Sequence, residues 1–124
     1  MTRLTDDDRR YREISEKAFQ KQVLGLASLL GWHTLHISIG AKMSGDRKTV
    51  ARYITPVQGS LGKGWPDLVL VHERTGRLIF AELKSEVGKL SPEQVDVLDI
   101  LRQTALEVYV WRPRDIDEIA RILA

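Results

Sequence analysis

The 124-residue sequence predicts an α/β fold: a mixed β-sheet with an antiparallel hairpin, flanked by helices packed on both faces. Three observations predict it. Gly64 to Val71 and Leu78 to Lys84 are apolar, β-branched or aromatic runs of strand length, and a Glu73–Gly76 stretch ending in glycine joins them as a turn. After the second run, Ser91 opens a helical segment, and Glu107 to Trp111 reads as a further strand; such a crossover pairs its strands in parallel and with a right-handed turn. Ahead of the hairpin, Glu13 to Leu30 carries apolar residues at helical spacing.

Length and composition suit one domain with one core, since 29% charged and 43% hydrophobic residues are ordinary for a soluble globular chain. No cysteine is present, which excludes a disulfide framework and a thiolate metal site and fits a reducing cytoplasm. No apolar run is long enough to cross a bilayer, and Met1 to Asp8 does not read as a signal peptide, so no membrane partner is expected. The net charge of +2 says little about partners; its distribution says more.

Residues 1–12 form a polar arm or a helix extension: Thr5 ahead of Asp6, Asp7 and Asp8 has the chemistry of a helix cap, and a frayed arm fits equally well. Residues 13–124 read as a single domain. In the Glu13–Leu30 helix, Phe19, Val23, Leu26, Ala27 and Leu30 form the apolar face, and Gly31 stops it. At 100° per residue, Glu16 falls within about 40° of the centre of that face. Such an acid either completes an acidic cluster or is a first-turn residue favoured by the helix dipole. Trp32 to Ile39 alternates and predicts a half-buried strand, with Leu35, Ile37 and Ile39 on one side; His33 and His36 there lack ligand-spaced partners and read as structural or surface residues.

Residues 40–64 carry Lys42, Arg47, Lys48, Arg52 and Lys63 against one acid, Asp46, an excess of +4 against +2 for the whole chain. Thr49 to Val57 has strand character. Basic residues with Ser60 and several glycines suit a phosphate backbone, where cations pair with phosphates and glycine lets amides approach; the alternative is a solvated loop. Gly59 to Gly64 lacks the pattern of a nucleoside-triphosphate loop and leads into a strand, so no nucleotide triphosphate is expected.

The chemistry concentrates at the hairpin. Symmetric pairing about the bond between Arg74 and Thr75 places Asp67 directly opposite Glu82, and period-2 alternation puts Lys84 on the face of Glu82. Opposed carboxylates repel and push one pKa up, and a hard divalent cation relieves this. A salt-bridged trio at a strand end is the bland alternative, and a slip of one residue would turn the acids to opposite faces. Beyond the hairpin, Ser91-Pro92-Glu93-Gln94 is a helix start; Val95, Leu98, Leu101 and Ala105 form the expected stripe. Gln94 either closes a capping box or faces the site, and Lys89 is a phosphate contact or a surface lysine. Asp115 to Leu123 predicts a closing helix with Ile116, Ile119, Ala120 and Leu123 inward.

Pro66-Asp67 followed by Glu82-Leu83-Lys84 resembles the PD-(D/E)xK signature of the restriction-endonuclease-like superfamily. Gly64-x-Pro66-Asp67-Leu68-Val69, with Gly88-Lys89-Leu90-Ser91, Gln94 and Glu16, resembles the VRR-Nuc (virus-type replication-repair nuclease) family within it, over about Glu13 to Trp111. The resemblance implies a restriction-endonuclease-like core and a Mg²⁺- or Mn²⁺-dependent DNA endonuclease. Asp67, Glu82, the Leu83 backbone carbonyl and, at a second site or in the outer shell, Glu16 would serve the metal. Lys84, Glu16 and Gln94 would assist catalysis, and Lys42, Arg47, Lys48, Arg52, Ser60, Lys63 and Lys89 would meet DNA. It further implies a homodimer on branched DNA such as four-way junctions, in a bacterial or phage-encoded cytoplasmic setting. A non-catalytic nucleic-acid-binding module of the same fold and a sequence-specific restriction-type enzyme are the alternatives.

Overall fold

The structure is a computed structural model that describes residues 3–37 and 59–124. The strand expected at Thr49 to Val57 and the basic residues Lys42, Arg47, Lys48 and Arg52 lie outside the described residues. The elements run α1 (Asp6–Glu13), α2 (Glu16–Leu29), β1 (His33–His36), β2 (Leu68–His72), β3 (Arg77–Leu83), α3 (Pro92–Arg102), β4 (Glu107–Trp111) and α4 (Ile116–Leu123), with single 3₁₀ turns at Gly62–Gly64 and Pro113–Asp115.

Thr5 caps α1, accepting from the Asp8 amide while the Asp8 carboxylate accepts from the Thr5 amide, so the helical form of the arm is the one seen. The helix expected from Glu13 to Leu30 is α2, Glu16–Leu29, and begins three residues later because Glu13 closes α1. Ile14 leaves helical geometry at φ −77°, ψ 118° and packs against the core, and Ser15 caps α2 by accepting from Ala18 N–H. An apolar side chain seeking the core and a good N-cap residue side by side end one helix and start the next. Gly31 stops α2 with φ +88°, which favours glycine.

The strands form one sheet in the order β1-β2-β3-β4. β1 pairs antiparallel with β2 and β2 with β3, while β3 and β4 are parallel across α3. Gly76, at φ +70°, closes the hairpin by donating its amide to the His72 carbonyl at 2.9 Å. Leu68 pairs with Ala81, Leu70 with Ile79 and His72 with Arg77, which is the register symmetric about the Arg74–Thr75 bond.

One sheet face carries the main core. Phe19, Val23 and Ala27 of α2 and Ile119 and Leu123 of α4 meet Leu68, Leu70, Ile79, Ala81, Leu83 and Trp111. Trp32 Nε1–H donates to the Leu123 carbonyl at 2.8 Å and Arg77 to that of Ile122 at 2.7 Å, so the exposed end of α4 finds donors. Arg77 also makes a two-pronged pair with Glu107 at 2.7 and 2.9 Å and lies over the Trp32 ring. α3 covers part of the other face, the face of Phe80 and Glu82. Its buried residues are Val97, Leu98 and Leu101; Val95 and Ala105, expected inside, are exposed. The true stripe is Gln94, Val97, Leu98 and Leu101, a better i, i+3, i+4, i+7 series than the expected one, and the helix ends before Ala105. β1 is also more exposed than expected: all four residues are exposed, Leu35 at 57%, and among the described residues β1 is the edge of the sheet. No described helix is long and apolar enough to cross a membrane.

Candidate active site

The site forms where β2 begins and β3 ends. The chain reaches it through Gly62–Gly64, Trp65 and Pro66. Trp65 is extended (ψ 137°), as the residue before a proline must be, and its ring meets Phe80 edge-on at 5.2 Å. Pro66 is fully buried. Gly64 explains its own residue type: a Cβ there would stand 2.1 Å from the Glu93 carbonyl oxygen and 2.7 Å from Val97 Cγ2. Only glycine lets the first turn of α3 lie against this loop.

Asp67 and Glu82 face each other one step beyond the Leu68–Ala81 pair. Each carboxylate accepts from the backbone of the opposite strand: Glu82 Oε2 from Asp67 N–H, and Asp67 Oδ2 from Leu83 N–H, both at 3.1 Å. Asp67 is held from the other side as well, its carbonyl accepting from Ile37 N–H at 2.7 Å. In extended backbone, the N–H and C=O of one residue point the same way. The Leu83 carbonyl is therefore directed toward the Asp67 side, while Lys84 N–H turns away to the Trp111 carbonyl at 3.0 Å.

Glu82 is 1% exposed and is the buried charged residue among the described ones. Burial first, and the Asp67 carboxylate second, push its pKa from 4.5 up to about 8; Lys84 and the Asp67 amide pull the other way without prevailing. Lys84 Nζ lies 3.8 Å from Glu82 Oε1 and is itself mostly covered. Gln94 does both things its position allowed. Ser91 N–H can only donate, so it fixes Gln94 Oε1 toward itself at 2.8 Å; the amide nitrogen is left to donate to Glu82 Oε1, also at 2.8 Å. The capping box thus orients a side chain of the site.

Asp67, Glu82, Leu83, Lys84 and Gln94 are brought together. Glu16 is not: it is exposed in the first turn of α2, and among the described residues no group of three or more His, Asp or Glu is placed to hold a metal. Ser60 and Lys63 are exposed along a cleft against α3 that Glu93 and Asp96 also line, and Lys89 is exposed just before that helix. His33, exposed, meets Glu73 at 3.1 Å at the far end of β1. Arg112, which the sequence marks only as the end of a strand, donates into the segment that joins Lys84 to α3.

The donor set fits a hard divalent cation. Two carboxylate side chains face each other beside the Leu83 backbone, and burial with the Asp67 charge drives one acid toward its neutral form despite Lys84. Two protein carboxylates with remaining positions left to water or phosphate is the usual magnesium arrangement. A family model described as VRR-NUC domain matches residues 6–115. Comparison with curated proteins and with solved structures gives no match.

Proposed function

The chain belongs to the VRR-NUC family, a nuclease family whose substrate is nucleic acid, and from that premise we propose a Mg²⁺- or Mn²⁺-dependent DNA endonuclease with Asp67 and Glu82 as its metal-holding pair. The observation that carries the proposal is the reciprocal clasp of those carboxylates across β2 and β3, with Glu82 buried and destabilised as an anion. Asp67, Glu82 and the Leu83 carbonyl would hold the ion. The chemistry a bound divalent cation supplies there is polarisation of the phosphodiester and a lower pKa for the attacking water. Lys84 stands beside the pair and donates to the water or to the phosphate oxygen on which charge builds. Gln94 holds the Glu82 carboxylate in place, so its second oxygen keeps its aim. Glu16 enters only as a second-site or outer-shell acid.

Structure selectivity for branched DNA is part of the proposal. So is a homodimer, since one site per chain requires two copies for paired cuts. A cytoplasmic setting belongs to the same reading. Cleavage of labelled four-way junction, flap and linear duplex, with and without Mg²⁺ or Mn²⁺, tests it. Asp67→Ala and Glu82→Ala should each lower kcat by at least about 10²–10³-fold, the scale of losing one preorganised charge-stabilising group, while DNA binding survives. Metal-dependent cutting retained by Asp67→Ala would sink the assignment.

A further inference from the structure

Residues 85–90 join the strand that leads into Lys84 to the helix whose first turn holds Gln94. Those are the two side chains that reach Glu82 Oε1, at 3.8 and 2.8 Å. Their relative placement depends on how this short segment is held, and the strand ladder does not hold it. The last ladder bond runs from Lys84 N–H to the Trp111 carbonyl.

Two arginines of the junction between β4 and α4 take over. Arg112 Nη1 donates to the carbonyls of Ser85 at 2.6 Å and Gly88 at 2.7 Å, with that of Glu86 at 3.4 Å. Arg114 donates through its backbone N–H and its Nε to the Glu86 carboxylate, each at 2.7 Å, and that side chain is 4% exposed. Carbonyl oxygens that converge on one point repel unless a donor stands between them, and a charged donor does so most strongly. The fold is tight enough to register a shift: a Cβ on Gly88 would stand 3.0 Å from Ser85 Oγ and 3.6 Å from Lys84 Cδ. None of the Arg112 hydrogen bonds reaches Asp67, Glu82, Lys84 or Gln94 among the described residues.

We propose that Arg112 is a positioning residue: by gathering the Ser85 and Gly88 carbonyls it sets Lys84 and Gln94 against Glu82. The kinetic side of this rests on the nuclease reading; the structural side rests on the contacts alone. Lysine at this place keeps a cation near the carbonyls but not the reach of a guanidinium, and methionine keeps the bulk without any donor.

The test uses the full chain with Arg112→Met and Arg112→Lys. In Arg112→Met, kcat at saturating Mg²⁺ should fall about 10²-fold, the scale on which a displacement of about 1 Å in a catalytic group is felt. KM for DNA and Mn²⁺ affinity should stay within about twofold, because the metal-holding pair is untouched. Arg112→Lys should recover part of the rate, and the Arg112→Met loss should shrink in a Gln94→Ala background, since Gln94 is one of the two side chains through which Arg112 acts. Hydrogen exchange should quicken at amides 85–90 and not in β2 or β3. Wild-type kcat in Arg112→Met would overturn the proposal, and so would a parallel loss of metal affinity and of protection throughout the sheet. If the wild-type chain cuts no DNA, the nuclease reading fails by itself. Exchange at 85–90 then decides the positioning role, a local rise supporting it and an unchanged rate refuting it.

Discussion

Glu82 accepts from Asp67 N–H and Gln94 Nε2, has the Lys84 ammonium 3.8 Å away, and faces a second carboxylate. Its carboxyl group is therefore fixed in direction before any ligand arrives, which is what a site on rigid strands provides. Gln94→Ala removes one of those donors, and kcat should fall about tenfold, the rate equivalent of one ordinary hydrogen bond. Glu16→Ala, by contrast, should change kcat by no more than about threefold, since its side chain is exposed in the first turn of α2. Steady-state cleavage of a junction substrate measures both, and a Glu16→Ala loss as large as that of Glu82→Ala would restore Glu16 to the site. These residues show what a sequence can carry. The opposition of Asp67 and Glu82 was legible because a four-residue turn fixes a hairpin register, and Lys84 followed from alternation. Glu16 was placed near the core edge from its angle to Phe19, Val23 and Ala27, yet in the first turn of α2 its side chain is exposed. The Arg112 contacts left no trace, because they depend on β4 returning beside β3, a juxtaposition without local periodicity.

At the scale of elements, the site is an agreement between a hairpin and a helix. β2 and β3 supply the acids, and α3 supplies Gln94 from the stripe that also buries Val97, Leu98 and Leu101. Gly64 sets how closely that helix approaches. In Gly64→Ala the new Cβ meets the Glu93 carbonyl, a backbone atom that cannot swing aside, so the first turn of α3 must retreat. The expected cost is about 1–3 kcal/mol of stability, as for other overpacking, read as a lower midpoint in urea. A second consequence distinguishes this from simple overpacking elsewhere: kcat should fall with it, because Gln94 moves away from Glu82. A Gly64→Ala chain of normal activity would show that α3 does not depend on this contact. Strand and helix identities were readable from the apolar runs and the Ser91-Pro92 cap. The stripe of α3 was misjudged by taking Val95 rather than Val97, while Gln94 was placed on its side. The polar residue won its inward place because it satisfies both Ser91 N–H and Glu82 Oε1.

For the molecule as a whole, the acid pair couples folding, pH and metal. Glu82 has a pKa near 8 in the folded chain and near 4.5 when unfolded, so the folded state holds a proton that the unfolded state has lost. That contribution is fully present below about pH 4.5 and disappears as pH climbs through about 8, so the metal-free protein loses stability over this window. A divalent ion competes with the same proton, and its stabilisation must therefore grow as pH rises. At an ion concentration of about a hundred times Kd the gain is about 2.7 kcal/mol, which corresponds to a rise in Tm of about 10 °C for a chain of this size. Thermal unfolding with EDTA, Mg²⁺ or Mn²⁺ at pH 6 and pH 8.5 measures it. The metal-free Tm should drop between the two pH values by more than it does in Glu82→Gln, and added Mn²⁺ should raise Tm most at pH 8.5. In Glu82→Gln the Mn²⁺ effect should vanish, because a neutral amide cannot take the place of the anion. A metal-induced rise that is equal at both pH values, or that survives in Glu82→Gln, would mean the ion is held elsewhere. The clasp of Asp67 and Glu82 would then be a structural device of the strand ends.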